Sequence, residues 1–461
     1  MTKQLKAIAG ARTILEDALS AHEAGELAAA EAGYAMVIEA GYRLADVLPI
    51  LAGMLGRRGA DDEALILWER LLAIDPGNAV ALHEQGLIFA RTGHPERAIA
   101  ALEASCAADP ANAVAANNLA VCLADAGRRH EALAQFRAAL ALQPGNIHIQ
   151  HQIRRLCAEL VPFWHIPMLN DTRRNDAFEA AIIAAIAAKG PAARVLDIGT
   201  GSGLLSMMAA RAGAQSVTAC ELVPAIADTA RAIIAANGHA ESITVHTMPS
   251  GALAVGEHLP ERADILVSEI LSSDLLTEKV IDTFEDAHAR LLAPDAIIIP
   301  RAAAAIGCLV ESRVLEDYVF VGEVSGFDVS AFGALASQKL PIHGTMTGWK
   351  RLSADVELLR IDLTCKAHPA DLQPLAIPVL ADGVAAGIVQ WMQVDLAEGI
   401  TFDNHPDGYT DGGWLQVLHA FPQPIPVRAG DVLHLAAGHD RVTLILRPLE
   451  LATAAARANA A

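Results

Sequence analysis

Residues 195–221, VLDIGTGSGLLSMMAARAGAQSVTACE, constrain the fold of this chain more than any other segment. The short apolar run VLDIG has the composition of a buried strand, and the following LLSMMAARAG has helical spacing. Between them Gly199, Gly201 and Gly203 let the backbone turn tightly against a ligand. A second strand, SVTACE, delivers Glu221 at its tip, where a carboxylate accepts hydrogen bonds from both hydroxyls of a ribose. The glycine pattern is GxGxG, not the GxGxxG of dinucleotide folds, and is weak by itself. With Asp197 before the loop and Glu221 after it, the expected ligand is S-adenosylmethionine. A dinucleotide site and a relic of the fold that binds no cofactor are the alternatives.

A chain of 461 residues exceeds one ordinary core, so two or three domains are expected. Hydrophobic residues make up 53% and aromatics only 4%, which implies alanine- and leucine-rich interiors. No run of about 18 uncharged apolar residues occurs, and charges interrupt the first 20 residues where a signal peptide would be apolar. The expectation is a soluble, cytoplasmic protein. Six scattered cysteines without a CxxC pair are expected to be buried and reduced. The formal net charge of -20 disfavours binding to a phosphate backbone and favours a cationic partner, although acids also serve solubility alone.

The first third repeats. Gly25, Gly59, Gly93 and Gly127 recur every 34 residues, as do Ala30, Ala64, Ala98 and Ala132. Ala18, Ala52, Gly86 and Ala120 keep the same step, and Pro76, Pro110 and Pro144 close the later units. A 34-residue helix-turn-helix period with small residues at helix crossings resembles the tetratricopeptide repeat. Such repeats stack into a superhelix whose concave face holds an extended protein segment, or serve only as a scaffold for the next domain.

Beyond the repeats, strands at SITVHT, ADILVSE and DAIIIP alternate with the helical stretches PAIADTARAIIAANG and LLTEKVIDTFEDAHARLL. That alternation specifies a Rossmann-like parallel sheet with helices on both faces. The last 150 residues change to β-like runs, LLRIDLTC, GIVQWMQVDL, GGWLQVLHAF, DVLHLAAG and RVTLILRP, expected to form an antiparallel sandwich or β-barrel. The expected domains are a tetratricopeptide superhelix at 10–150, a cofactor-binding domain at 151–300 and a β-barrel substrate domain at 301–450.

After the fourth of these strands comes SEILSSDLLTE, with Glu269 and Glu278 nine residues apart. Here the chain resembles the protein arginine methyltransferases, whose double-glutamate hairpin follows a strand ending in Ser-Glu. MLNDTRRN at 168–175 is similar to that family's MLxDxxR segment, and LLAPDAIIIP at 291–300 to its LxPxGxxxP stretch; the likeness spans about 164–448. The resemblance implies methylation of an arginine guanidinium in a protein or peptide, a homodimer, and a dimerisation arm near 324–345. It places Arg174 on the methionine carboxylate of the cofactor, Asp197, Gly199, Gly201, Gly203 and Leu204 beneath its amino-acid end, Glu221 on its ribose and Met168 beside the transferred methyl. Glu269 and Glu278 become the catalytic pair, with Asp274 and Trp414 as substrate contacts. The chemistry is coherent. Guanidinium is planar, permanently charged and a bidentate partner for carboxylates, so two glutamates clamp it in one plane. Alignment then contributes more than proton abstraction, on the order of 7 to 11 kcal/mol.

Each assignment has a structural alternative: a solvated acidic hairpin for the glutamates, a surface charge for Arg174, core packing for Met168. The chain also departs from the family. The Thr-His-Trp loop falls at Gly412, Gly413 and Trp414, so a pocket wider or differently hydrogen-bonded at Gly413 is expected. The tyrosine-rich helix is missing, with Phe163, Trp164 and His165 as substitutes, and Ala252 stands where an acid usually holds the adenine amine. These departures keep two other readings open: methyl transfer to a small molecule or another side chain, and a catalytically weak repeat-bearing adaptor. Asp403, His405, Asp407 and Asp411 have the composition of a hard-metal loop, which a glycine-rich turn explains equally, and no metal is expected.

Overall fold

A computed structural model describes residues 3–162, 164–343, 346, 348–408 and 412–453. Its contacts divide into two compact units, Met1–Leu160 and Val161–Ala461.

The first unit is helical: α1 (Lys3–Glu23), α2 (Leu27–Glu39), α3 (Leu44–Arg58), α4 (Asp61–Ile74), α5 (Ala79–Arg91), α6 (Pro95–Ala108), α7 (Ala113–Asp125), α8 (Arg129–Leu142) and α9 (Ile147–Leu160). The helices pack as successive pairs, α1 with α2, α3 with α4, α5 with α6 and α7 with α8. The 34-residue period has a backbone cause. Gly25, Gly59, Gly93 and Gly127 follow the first helix of each pair at φ of 77, 82, 79 and 78°, a left-handed turn that glycine enters without steric cost. The asparagines of the Pro-x-Asn turns start the next pair: Asn78 Oδ1 accepts from Ala81 N at 3.0 Å and Asn112 Oδ1 from Ala115 N at 3.1 Å. At the crossing of α5 and α6, a Cβ on Gly86 would lie 2.6 Å from Leu102 Cγ. Tyr34, Trp68, Leu102 and Phe136, again 34 residues apart, are buried to 2% exposure or less and form the large half of the repeat that the glycine and alanine ladders left unseen.

The second unit opens with α10 (His165–Asn170) and α11 (Thr172–Lys189) and continues as β1 (Arg194–Ile198), α12 (Leu204–Arg211), β2 (Ser216–Glu221), α13 (Pro224–Ala236), β3 (Ile243–Thr247), β4 (Ala263–Ser268), α14 (Val280–Arg290) and β5 (Leu292–Ile299). The strands form one parallel sheet in the order β3-β2-β1-β4-β5. The sheet order reverses between β1 and β4, so a crevice opens beyond their carboxyl ends, where Gly199 and Glu269 follow the two strands. The expected helix 275–292 is shorter than its sequence pattern, because residues 275–279 form the hairpin that carries Glu278.

The remaining elements are β6 (Ala302–Glu311), α15 (Arg313–Val319), β7 (Glu323–Val324), β8 (Phe327–Asp328), β9 (Lys339–Ile342), β10 (Lys350–Arg351), β11 (Val356–Asp362), β12 (Asp371–Pro378), β13 (Gly383–Ala397), β14 (Ile400–Asp403), β15 (Gln416–Val427), β16 (Val432–His439) and β17 (Leu444–Ala452). They build antiparallel sheets: β10-β6-β13-β15-β9 with β11 on β6 and β14 on β13, and β12-β16-β17. Of these strands β6, β7, β8, β9, β10, β12 and β14 lie outside the β-like runs of the sequence. β6, AAAAIGCLVE, looks helical by propensity but is buried between β13 and its other partners, and alanine lets the sheets pack closely there. The cysteines are free, as expected, but only Cys220 and Cys308 are buried, and Cys365 is exposed. No helix among the described residues is long and apolar enough to cross a membrane.

Candidate active site

The glycine loop folds back on the end of β2, with Gly199 N and Thr200 N both donating to Cys220 O at 3.0 and 3.1 Å. All three glycines take left-handed φ, 76, 55 and 82°, which favours glycine at each. A Cβ on Gly199 would lie 2.6 Å from Ile270 Cγ2 and one on Gly203 2.8 Å from Ile234 Cδ1, whereas Gly201 faces open space and leaves room for a ligand. Leu204 opens α12 directly behind them and packs against the core. Asp197, at the end of β1, accepts Thr200 Oγ1 at 2.7 Å and Ser206 Oγ at 2.6 Å on Oδ2. Its Oδ1 is buried with no partner among the described residues. Burial pushes the Asp197 carboxyl up to about 6, against the hydrogen bonds from Ser206 and Thr200. Glu221 accepts from Gly201 N at 3.2 Å and Val223 N at 2.9 Å, which ties the acid to the loop. An unsatisfied acceptor in a cradle of glycines, with a second acid one strand away, fits a cofactor that brings an ammonium and a ribose. Thr200 and Ser206 carry no motif, and only the fold shows that they orient Asp197.

Ser268 Oγ donates to Ile198 O at 2.9 Å and fixes the end of β4 beside β1. The next residue, Glu269, is paired with Arg174 of α11, Nη2 to Oε2 at 2.5 Å, and both side chains are 6% exposed. Glu269 Oε1 and Arg174 Nε are buried and have no partner among the described residues. Burial raises the Glu269 carboxyl to about 7; Arg174 opposes the rise, and the charges of Glu278 and Asp197 add to it. Arg174 lies between the rings of Phe178 and Trp414, at 5.1 and 5.5 Å, and its Nη1 donates to Asn175 Oδ1 at 2.9 Å. Asp171 caps α11 by accepting from Arg174 N at 3.0 Å, and burial raises its pKa. Its other oxygen is buried and unpaired.

The hairpin after Glu269 is held by the β region. Trp414 Nε1 donates to Leu271 O at 2.9 Å, and Leu415 N donates to Ser273 Oγ at 3.1 Å. Leu275 and Lys279 both take left-handed φ, 83 and 59°, which strains the turn around Glu278. Enclosure of the Glu278 carboxyl and the charge of Glu221 raise its pKa, although the residue as a whole reaches solvent. Asp274 points away from an open substrate role: Lys339 Nζ donates to it at 2.8 Å and Ser272 Oγ at 2.7 Å. Burial alone would raise its pKa, but these bonds and that from Thr277 lower it. Trp414 is buried at 4% exposure, so its contacts are with the hairpin and Arg174.

One of the two expectations for Gly413 is overturned. Gly413 does not widen the pocket, because Met168 fills the space: a Cβ there would lie 2.0 Å from Met168 Cγ. Of the aromatic substitutes, Trp164 is partly exposed at the start of α10, and Phe163 lies outside the described residues. Ala252 sits in a turn of 3-10 helix, Ser250–Ala252, beyond β3. In the acid-rich loop His405 interacts with Asp355 at 3.2 Å and meets the Trp391 ring edge-on, while Asp407 pairs with Arg351. Asp411 lies outside the described residues.

Residues 182–300 match the family model of ribosomal protein L11 methyltransferase (PrmA). The arginine N(omega)-methyltransferase of Streptomyces achromogenes subsp. streptozoticus is 39% identical over 285 residues, 62% of this chain and 78% of that protein. Protein arginine N-methyltransferase 7 of Drosophila yakuba is 30% identical over 319 residues, 60% of this chain and 46% of that protein, so the chain spans about half the length of that relative. Among solved structures, the Trypanosoma brucei PRMT1 enzyme-prozyme complex with AdoHcy shares the fold at a TM-score of 0.50 and 22% identity, covering 62% of this chain and 96% of that one. Arabidopsis thaliana protein arginine methyltransferase 10 does so at 0.50 and 19%, covering 64% and 99%. The glycine loop, the acid at the tip of β2 and the extent of the first relative covered agree: the chain belongs to the arginine N-methyltransferase family, whose methyl donor is S-adenosylmethionine.

Proposed function

We propose that the chain transfers a methyl group to a guanidinium nitrogen of arginine in a protein or peptide. The observation that carries the reading is Glu269: one oxygen is held by Arg174, and the other is buried, unpaired and nine residues before a second glutamate. When bound, S-adenosylmethionine supplies an electrophilic methyl that passes to the nitrogen as the sulfur recovers its electron pair. The residues of the chain bind and orient. Asp197, Gly199, Gly201, Gly203, Leu204 and Glu221 hold the amino-acid and ribose ends, Arg174 the carboxylate, and Met168 lies beside the methyl. Glu269 and Glu278 fix the guanidinium plane, and their negative charge offsets two cations brought together. Trp414 backs the pocket through Leu271 and Arg174, and Asp274 sets the hairpin through Lys339. The nitrogen releases one proton to solvent or to a carboxylate at the rim.

The first unit is read as tetratricopeptide repeats that recruit the protein substrate, supported by the 34-residue period of turns and large core residues. The division 10–150, 151–300 and 301–450 and a closed β-barrel belong to the same reading, as do a cytoplasmic location and a homodimer. The arm near 324–345 exposes Val324, Phe327, Phe332 and Leu335, an apolar surface suited to a second copy; residues 344 and 345 lie outside the described residues. A second reading, transfer to free arginine, is favoured by the name of the 39% identical relative, which specifies arginine without a protein. Radiolabelled cofactor incubated with arginine-rich peptides, a cell extract or free arginine decides the acceptor. Glu269→Gln is expected to lose at least about a hundredfold in rate, and transfer at the wild-type rate by that variant rejects the clamp.

A further inference from the structure

Helix α10 has no fully buried residue, so its place on the molecule rests on few contacts. One of them is unusually close. A Cβ on Gly413 would meet Met168 Cγ at 2.0 Å and also Met168 Cα and N at 2.8 Å. The methionine side chain can rotate, but the backbone atoms move only if the helix moves. Next to this contact, Asn175 Nδ2 donates to Leu169 O of α10 at 2.9 Å, and its Oδ1 accepts from Arg174, the partner of Glu269. From the other side, Trp414 donates to Leu271 in the glutamate hairpin. The contacts form a closed ring that runs from Gly413 to α10, through Asn175 and Arg174 to Glu269, and back through the hairpin to Trp414.

We propose that Gly413 is a positioning residue that seats α10 by direct backbone contact, so that the cofactor-side helix and the glutamate hairpin close as one unit. The inference rests on reading α10 as the cover of the cofactor. A side chain at 413, including the histidine of related enzymes, props α10 away and breaks the ring at its tightest point, while Asp197, Glu221 and the glycine loop stay intact.

The test is calorimetric binding of S-adenosylhomocysteine to the full chain, with hydrogen exchange of the amides in 165–170, of which Pro167 has none. Gly413→Ala is expected to bind about tenfold or more weakly and to lose protection of 165–170. Met168→Ala in that background removes the 2.0 Å clash and leaves those at 2.8 Å, so it is expected to bind no more tightly than Gly413→Ala alone. Unchanged protection in Gly413→Ala, unchanged affinity, or rescue by Met168→Ala each overturns the proposal. Should Gly413→Ala not fold, the wild type decides: amides 165–170 protected without cofactor support a seated helix, and exchange at the rate of unstructured peptide overturns it. Failure of the arginine reading is distinct, because it shows as absent methyl transfer in a wild type that still binds the cofactor.

Discussion

Glu269 and Asp197 are carboxyls that burial pushes to about 7 and about 6 from ordinary values of 4.5 and 3.8. An acid whose folded pKa is raised holds its proton longer folded than unfolded. The folded state therefore loses stability as pH rises from about 4 to 7, while the clamp needs Glu269 as a carboxylate. Activity and stability are thus expected to run in opposite directions: kcat/KM climbs through an apparent pKa near 7 as the melting temperature falls. In Glu269→Gln the slope of stability with pH is expected to shrink, leaving the shares of Asp197, Asp171 and Glu278. A melting temperature that does not change with pH across that window in the wild type contradicts this account. The sequence identified Asp197 by its place before the glycine loop and Glu269 by its place after a strand, but not their partners. Thr200, Ser206 and Asn175 are unremarkable residues that matter through position alone.

Two elements carry strain or tension that pattern reading misses. In β13, Gly387 sits at a register shift against β15, and a Cβ there would lie 2.2 Å from His419 O, a backbone atom that cannot turn aside. Gly387→Ala is expected to cost about 3 kcal/mol in chemical denaturation, and a loss within error rejects that contact. Helix α14, which follows Glu278, is latched to the β region: Arg441 pairs with Asp282 and Glu285, and Glu285 also accepts from His368 N at 2.6 Å. Hydrogen bonding to Arg441 is the main cause that holds the Glu285 carboxyl down at about 2. A depressed acid contributes stability above its unfolded value of 4.5 and loses it as pH falls toward 2. Arg441→Ala is expected to lower the melting temperature at pH 7 and to flatten the further decline between pH about 4.5 and 2, read by thermal melts over that range. Strand β6 teaches the complementary lesson: four alanines favour a helix locally, yet ladders to β10, β11 and β13 outweigh propensity once the sheet exists.

At the scale of the molecule, the glycine loop, Glu221, both glutamates and Arg174 all belong to Val161–Ala461. Expression of 161–461 alone is expected to preserve cofactor affinity while reducing methylation of a protein substrate, measured by calorimetry and by label transfer. Loss of cofactor binding on removal of the helical unit rejects that division of labour. The net charge of -20 would suit the proposed cationic, arginine-bearing substrates without selecting among them. By itself the sequence determined the repeat period, the alternating strands and the cofactor loop, because glycine, proline and apolar periodicity act on near neighbours in the chain. Only the tertiary structure decided that Arg174 grips Glu269 across 95 residues and that Met168 fills the space at Gly413. Those contacts join segments far apart in sequence, and whether a carboxylate is paired, buried or free depends on what packs around it.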